Sequence, residues 1–165
     1  MINIQQIHTD LDQNTTRLLD ALSAFSAADF SRKPSPTGWS AAEIADHVLQ
    51  VMMFGNKALK GNALPTERPF DEKIKVIIGA MSNMNANYQS PEMAMPRKGD
   101  IDQAEITEIL KGQRFVMKES LDGSDLSYFC SDFKHPGFGG LTKFEWIYFD
   151  IHHVARHISQ MKRLK

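Results

Sequence analysis

Three of the six histidines of this chain lie in one short stretch, Asp150–Gln160, "DIHHVARHISQ". On a helical wheel, His153 and His157 fall within about 40° of each other among apolar residues. His152 falls on the opposite side with the charged residues Glu145, Arg156 and Arg163, and it is predicted to be a solvated surface residue. The i, i+4 spacing places the two inward imidazoles one turn apart on one helix face. That is the helical spacing of two ligands of one metal ion.

A further histidine, His47, is predicted to point inward from a different helix. On the wheel it shares its face with Ile44 and Val51, whereas Asp46 takes the outer face. An imidazole from a neighbouring helix would complete a three-histidine set, which leaves positions open for water or substrate as catalytic zinc sites do. Imidazole suits Zn, Ni, Cu or Fe, and three imidazoles do not choose among these metals.

The residues alone leave other interpretations of the histidines open. A buried imidazole needs hydrogen-bond partners, and two histidines can share a hydrogen bond or line a pocket and bond through water. Glu43, one turn before His47, is a candidate outer partner that orients the His47 ring. His135, in "FKHPGFGG", is a candidate loop-packing residue, extra ligand or proton donor. Cys130 has no cation beside it in sequence to lower its thiol pKa, and we expect it to be inert.

Four segments have the apolar spacing of long helices. They are predicted at Ile4–Phe25, from Ser40 onward, at Asp102–Leu121, and from Thr142 nearly to Lys165. The last three begin with S/T/D-x-x-E, the pattern of a helix capping box. A short helix is predicted over Phe70–Met81 and a loop over Ser82–Asp100. A second long loop, glycine-rich around His135, is predicted to cover a site.

Length and composition indicate one soluble domain over residues 1–165. The hydrophobic fraction of 42% and charged fraction of 24% are typical of globular proteins. A net charge of −1 gives no sign of a nucleic-acid partner, and no apolar run is long enough for a membrane span. The first residues do not form a signal-peptide pattern. The single cysteine excludes an internal disulfide and favours the cytoplasm. Since little of the chain resembles strand, we predict an all-α four-helix bundle.

Several stretches together resemble the DinB-like four-helix-bundle superfamily. "GWSAAEIADHV" is similar to the start of its second helix, with the pattern W-S-x-x-E-x-x-x-H. "FDIHHVARHISQM" resembles its last helix, where H-x-x-x-H is followed by x-x-Gln. "HPGFGGLTKFEW" resembles the approach to that helix in one branch of the family. The resemblance extends over most of the chain.

The resemblance implies an up-down-down-up bundle with a long crossover between helices two and three. It also implies that His47, His153 and His157 hold a divalent transition metal, most often Zn or Ni. Relatives include thiol-dependent transferases and isomerases, whose metal favours the thiolate of a low-molecular-weight thiol. We therefore expect a cytoplasmic, homodimeric enzyme that activates a thiol or water for transfer or hydrolysis on a small molecule.

Two alternatives to this enzyme stay open. One is a non-catalytic metal- or small-molecule-binding, stress-associated module. The other is a metal-free bundle whose histidines are satisfied internally and which dimerises through an apolar face.

Overall fold

Four long helices and two short ones form most of the protein. The computed structural model describes residues 2–165. Its helices are α1 Ile4–Ser23, α2 Ala27–Ser31, α3 Ala41–Lys60, α4 Ile74–Ser82, α5 Gln103–Glu119 and α6 Lys143–Lys162, with one 3-10 turn at Glu92–Ala94. Within these residues, no helix combines the length and the apolar content that a bilayer span requires.

The predicted helix starts are confirmed by their caps. The Ser40 hydroxyl accepts from the Glu43 backbone N–H, and the Glu43 carboxylate accepts from the Ser40 N–H at 2.8 Å. Thr142 and Glu145 form the same reciprocal pair at the start of α6. These bonds satisfy backbone donors that the first helical turn leaves free.

Three of the predicted helices have slightly different bounds in the structure. The third long helix, predicted over Asp102–Leu121, spans Gln103–Glu119. The first helix ends at Ser23 instead of Phe25, because the Ser26 side chain caps the new helix α2. The short helix predicted over Phe70–Met81 begins later and spans Ile74–Ser82. Local apolar spacing predicts that a helix exists more reliably than it predicts the residue at which it ends.

The predicted helical bundle is present, but the described residues also include a small antiparallel sheet that the all-α prediction lacks. Its strands are β1 Ala63–Leu64, β2 Phe129–His135 and β3 Gly139–Thr142, in the order β1-β2-β3. β2 and β3 form a hairpin in the glycine-rich stretch predicted as a loop, and Gly139 has a φ of +69° there. The sequence conceals this sheet because its strands are short and β1 pairs with residues far along the chain.

Cys130 lies in β2 and is fully buried. Burial raises the pKa of its thiol to about 11, although the nearby Lys143 charge opposes the change. The thiol is therefore protonated at neutral pH, in agreement with the inert cysteine expected from its neighbours.

A buried polar network ties three of the long helices together inside the apolar core. Arg114 of α5 donates to the Asp150 carboxylate of α6 and, at 2.9 Å, to the Asn14 side chain of α1. Asn14 in turn donates to the backbone carbonyl of Ile151 at 3.0 Å. Since a buried charge is costly without partners, this network favours one relative placement of the helices.

Two carboxylates predicted on outer helix faces are fully buried instead. Asp46 and Glu145 have 0% of their side chains exposed, and each pairs with an arginine, Arg97 and Arg68 respectively. Both arginines belong to the long crossover, residues 61–102, that joins α3 to α5. The helical wheel assigns a face to solvent when it is polar, and it has no information about a later segment that covers that face.

Candidate metal centre

Three buried histidines converge through one ring nitrogen each. Nε2 of His153 lies 3.1 Å from Nε2 of His47 and 3.0 Å from Nε2 of His157. The three possible ligand atoms all lie within 4.8 Å of one another, and each residue is at most 7% exposed. The contact of α3 with α6 therefore brings together the three histidines that the helical spacing singles out.

The hydrogen bonds at Nδ1 of His47 and His157 determine the tautomer of each ring and leave its Nε2 unprotonated. Nδ1 of His47 lies 2.6 Å from the backbone carbonyl oxygen of Ala94, and Nδ1 of His157 lies 2.8 Å from Oε1 of Gln160. Both oxygens accept hydrogen bonds, so each Nδ1 carries the proton and donates it. In the neutral rings the Nε2 atoms of His47 and His157 then have free lone pairs that face His153.

Burial keeps these imidazoles in their neutral form at physiological pH. It lowers the pKa of His47 and brings that of His157 to about 3. The pKa of His153 lies well below its usual value because of burial and, secondly, because of the neighbouring histidines. Neutral imidazole is the form that binds metal ions.

The donor set fits a divalent transition ion. A proton on Nε2 of His153 can be shared between the facing lone pairs of His47 and His157. One cation, in contrast, can bind the Nε2 lone pairs of all three histidines. Nδ1 of His153 is buried and has no partner among the described residues, so this ring lacks the outer acceptor that orients the rings of His47 and His157. Three imidazoles with space beside them are the ligand set of catalytic zinc sites.

A cavity of about 960 Å³ opens beside the three histidines. One wall is aromatic, formed by Phe54, Trp146 and Phe149. The crossover contributes a further part of the lining, residues 84–91 and 93–95. The volume and the mixed apolar and polar lining are those of a small-molecule site.

The sequence profile of the DinB superfamily matches residues 10–161. The chain belongs to the DinB superfamily. "Uncharacterized protein YuaE" of Bacillus subtilis (strain 168) is a relative, 32% identical over 152 residues that cover 87% of this chain and 88% of the relative. The crystal structure of TT2238, a four-helix bundle protein, aligns with a TM-score of 0.62 over 98% of this chain and 99% of its own. At 16% identity, that match concerns the fold alone.

In this DinB protein, Glu43 is not the outer partner of His47. Its carboxylate accepts from the Ser40 N–H and pairs with Lys33 at 2.7 Å. The partner of His47 is instead the Ala94 carbonyl. The capping box turns the Glu43 side chain back toward the helix start, so that the one-turn spacing to His47 does not lead to a contact.

His135 lies in the cavity wall with its ring fixed by two backbone donors. Nδ1 accepts from the N–H groups of Gly137 and Phe138 at 3.0 and 3.1 Å. Burial lowers the pKa of His135 to about 4, so the ring is neutral and its one proton lies on Nε2. That protonated nitrogen cannot coordinate a metal, which argues against the predicted role of extra ligand. The role of proton or hydrogen-bond donor stays a prediction.

His152 lies apart from the other two histidines of its helix. Its ring stacks on Tyr148 at 6.4 Å, and the residue is half-buried instead of fully solvated. Burial lowers the pKa of His152, although the Asp10 carboxylate opposes the change. The predicted division of the cluster is thus correct in direction, and only the degree of exposure differs.

Two contributors to the site have no signal in the sequence pattern. Ala94 acts through its carbonyl oxygen, which every residue type possesses. Arg156, predicted on the outer face of α6, donates to the carbonyls of Asn83 and Ala86 at 2.7 and 2.6 Å and lies over the Tyr88 ring. It thereby attaches the crossover to α6 beside the cavity. Only the path of the crossover identifies either contribution.

Proposed function

We propose that this protein is a divalent-metal-dependent enzyme that acts on a small molecule. In this proposal His47, His153 and His157 hold the ion, with Zn or Ni as the expected metals. A bound ion of this kind lowers the pKa of a coordinated thiol or water and so supplies the nucleophile for transfer or hydrolysis. A low-molecular-weight thiol is the proposed partner of the reaction.

The observation that carries the proposal is the convergence of three neutral imidazole nitrogens at the wall of a cavity. Their Nε2 atoms approach to 3.0 and 3.1 Å, and the outer partners of His47 and His157 direct the Nε2 lone pairs of those two rings inward. A purely structural cluster needs no space beside it, whereas this one faces about 960 Å³. A catalytic metal site requires ligand lone pairs that converge and an open side from which water or substrate can reach the ion.

The chain supplies the remaining groups of the proposed site. Trp39 lies against the His47 ring at 5.0 Å, and Phe149 lies against the His153 ring at 5.3 Å; both aromatic side chains also line the cavity. We propose that Nε2–H of His135 donates a hydrogen bond to an acceptor oxygen of the substrate. Its fixed ring and its neutral state suit that role.

Elemental analysis of the purified protein tests the metal site. We expect about one transition-metal ion per chain, because three protein ligands hold one ion in sites of this type. Changing His47, His153 or His157 to alanine is expected to abolish metal retention. His152→Ala on the same helix is the matched control and is expected to retain it. Equal metal content in all four variants would refute the site.

A non-catalytic binding module is the alternative, and one observation favours it. Glu43, the carboxylate predicted near His47, lies in its capping box instead of facing the cavity. Thermal shift and turnover distinguish the two functions. A midpoint raised by Zn or Ni, with no effect of a small thiol and no turnover of a thiol with an electrophile, would support the module.

The helix directions and the cellular context are also proposals. An up-down-down-up order is supported by the helix ends that meet. Gln103 at the start of α5 donates to the backbone carbonyl of Leu22 near the end of α1, as in an antiparallel pair. Tyr148 near the start of α6 donates to Asp10 near the start of α1. A homodimer in the cytoplasm is proposed from the family resemblance and the single cysteine.

A further inference from the structure

The carboxylate of Asp46, next to His47 in the sequence, is buried under the crossover. Asp46 precedes His47 on α3, and its side chain is 0% exposed. Oδ2 accepts from the Arg97 backbone N–H at 2.8 Å, and Oδ1 forms an ion pair with Nε of Arg97 at 2.9 Å without hydrogen-bond geometry. A buried carboxylate is costly unless such partners compensate it. Asp46 therefore ties one specific point of the crossover to α3.

The next residue of α3 holds a second point on the same segment. His47 donates from Nδ1 to the carbonyl oxygen of Ala94, three residues before Arg97. Ala94 is 5% exposed and closes the 3-10 turn by donating to the Pro91 carbonyl. Two adjacent helix residues thus bind two points of the crossover that are only three residues apart.

The link between these two points is short and stiff. Three residues span at most about 10 Å. Met95 precedes Pro96, which restricts Met95 to extended backbone, and its φ of −67° and ψ of 142° agree. Proline fixes its own φ as well. Anchoring Arg97 therefore restricts where the Ala94 carbonyl can lie relative to the His47 ring.

We infer that Asp46 is a positioning residue of the three-histidine site, acting through Arg97 and the crossover to hold the Ala94 carbonyl on Nδ1 of His47. This inference rests on the proposed function, since it concerns the affinity of that site for metal. The carbonyl fixes the ring orientation and the tautomer that leaves Nε2 free. Outer partners of this kind change metal affinity by about 10- to 100-fold.

Cobalt titration of the metal-free protein against a coloured chelator tests the inference. Asp46→Asn is expected to weaken cobalt binding by about tenfold and to shift the visible absorption of the bound cobalt. Hydrogen exchange of residues 90–97 is expected to become faster in the same variant. Asp46→Glu, which keeps the charge, is expected to recover part of the affinity.

Glu145→Gln is the matched control. Glu145 is equally buried and also pairs with a crossover arginine, Arg68, but it lies eight residues before His153. The control is expected to lose stability while keeping cobalt affinity and spectrum. If Asp46→Asn does not fold, Arg97→Pro replaces it, because proline removes both the backbone N–H and the guanidinium that Asp46 binds, at a residue whose side chain is 45% exposed.

The possible results distinguish the proposed metal site from the positioning role of Asp46. A wild-type protein that binds no cobalt would overturn the proposed function and this inference with it. A wild-type protein that binds cobalt, with unchanged affinity and spectrum in Asp46→Asn or its substitute, would overturn this inference alone. Weaker binding in Asp46→Asn and Glu145→Gln alike would also overturn it, because the effect would then be general destabilisation.

Discussion

Nδ1 of His157 lies 2.8 Å from Oε1 of Gln160, which is on the next turn of α6. The contact holds the His157 ring with its protonated nitrogen outward and its Nε2 toward His153. One helix therefore supplies two of the three converging histidines and the partner that orients one of them. The "H-x-x-x-H-x-x-Q" pattern thus has a physical explanation within a single helix.

Removing the Gln160 amide is expected to weaken metal binding. Gln160→Ala removes the acceptor that fixes the His157 tautomer, and we expect a loss of about 10- to 100-fold in affinity. Gln160→Glu keeps an acceptor oxygen and is expected to retain most of the affinity. Competition with a chelator measures both, and equal affinities in Gln160→Ala and wild type would contradict the assigned role.

His135 is expected to affect substrate turnover without affecting metal content. His135→Phe removes the Nε2–H donor but keeps an aromatic ring between Phe138 and Phe149. We expect turnover to fall by about 10²-fold or more while elemental analysis gives wild-type metal content. Loss of metal in His135→Phe would instead indicate that His135 is a ligand.

The His135 ring itself can be observed by nitrogen NMR. Burial lowers its pKa to about 4, so the neutral Nε2–H form is expected from pH 7 down to about 4. A ring that protonates near pH 6.5, or that carries its proton on Nδ1, would contradict the assigned state.

Breaking the buried ion pair between α5 and α6 is expected to be costly. Asp150→Ala leaves the Arg114 guanidinium buried with the Asn14 side chain and the Met117 sulfur as its partners among the described residues, and we expect a loss of about 3–5 kcal/mol in the free energy of unfolding. Urea denaturation measures it. The double variant Arg114→Met/Asp150→Leu removes both charges and is expected to be more stable than Asp150→Ala. A double variant less stable than the single one would contradict this account.

The ion pair of Glu145 with Arg68 is expected to make stability depend on pH in the acid range. Burial alone would raise the pKa of Glu145, but hydrogen bonds from Arg68 and from the Thr142 and Lys73 N–H groups leave it below its usual value. The unfolded chain therefore takes up the proton first as pH falls. The stabilisation is complete above about pH 4.5 and is lost as pH falls through the lower pKa of the folded state.

Comparison with Glu145→Gln isolates this contribution. The difference in unfolding free energy between wild type and Glu145→Gln is expected to be about 1–3 kcal/mol at neutral pH and to shrink below about pH 4.5. Denaturant melts across this range measure it. A difference that is constant with pH would show that the carboxylate charge contributes nothing.

The sequence by itself determined the features that depend on local spacing. Apolar residues at intervals of three and four predict the four long helices, and S/T/D-x-x-E predicts where three of them begin. The same periodicity separates His152 from His153 and His157 and turns His47 inward. These features follow from the 3.6-residue turn of a helix, which depends only on the spacing of residues along the sequence.

Only the tertiary structure decided what lies outside each helix. The crossover buries Asp46, supplies the Ala94 carbonyl to His47, and is attached to α6 by Arg156. The small sheet likewise depends on β1 meeting β2. These contacts join residues about 50 or more positions apart through backbone atoms and paired charges. Backbone atoms carry no sequence signal, and a polar side chain has the same type whether it faces water or a covering segment.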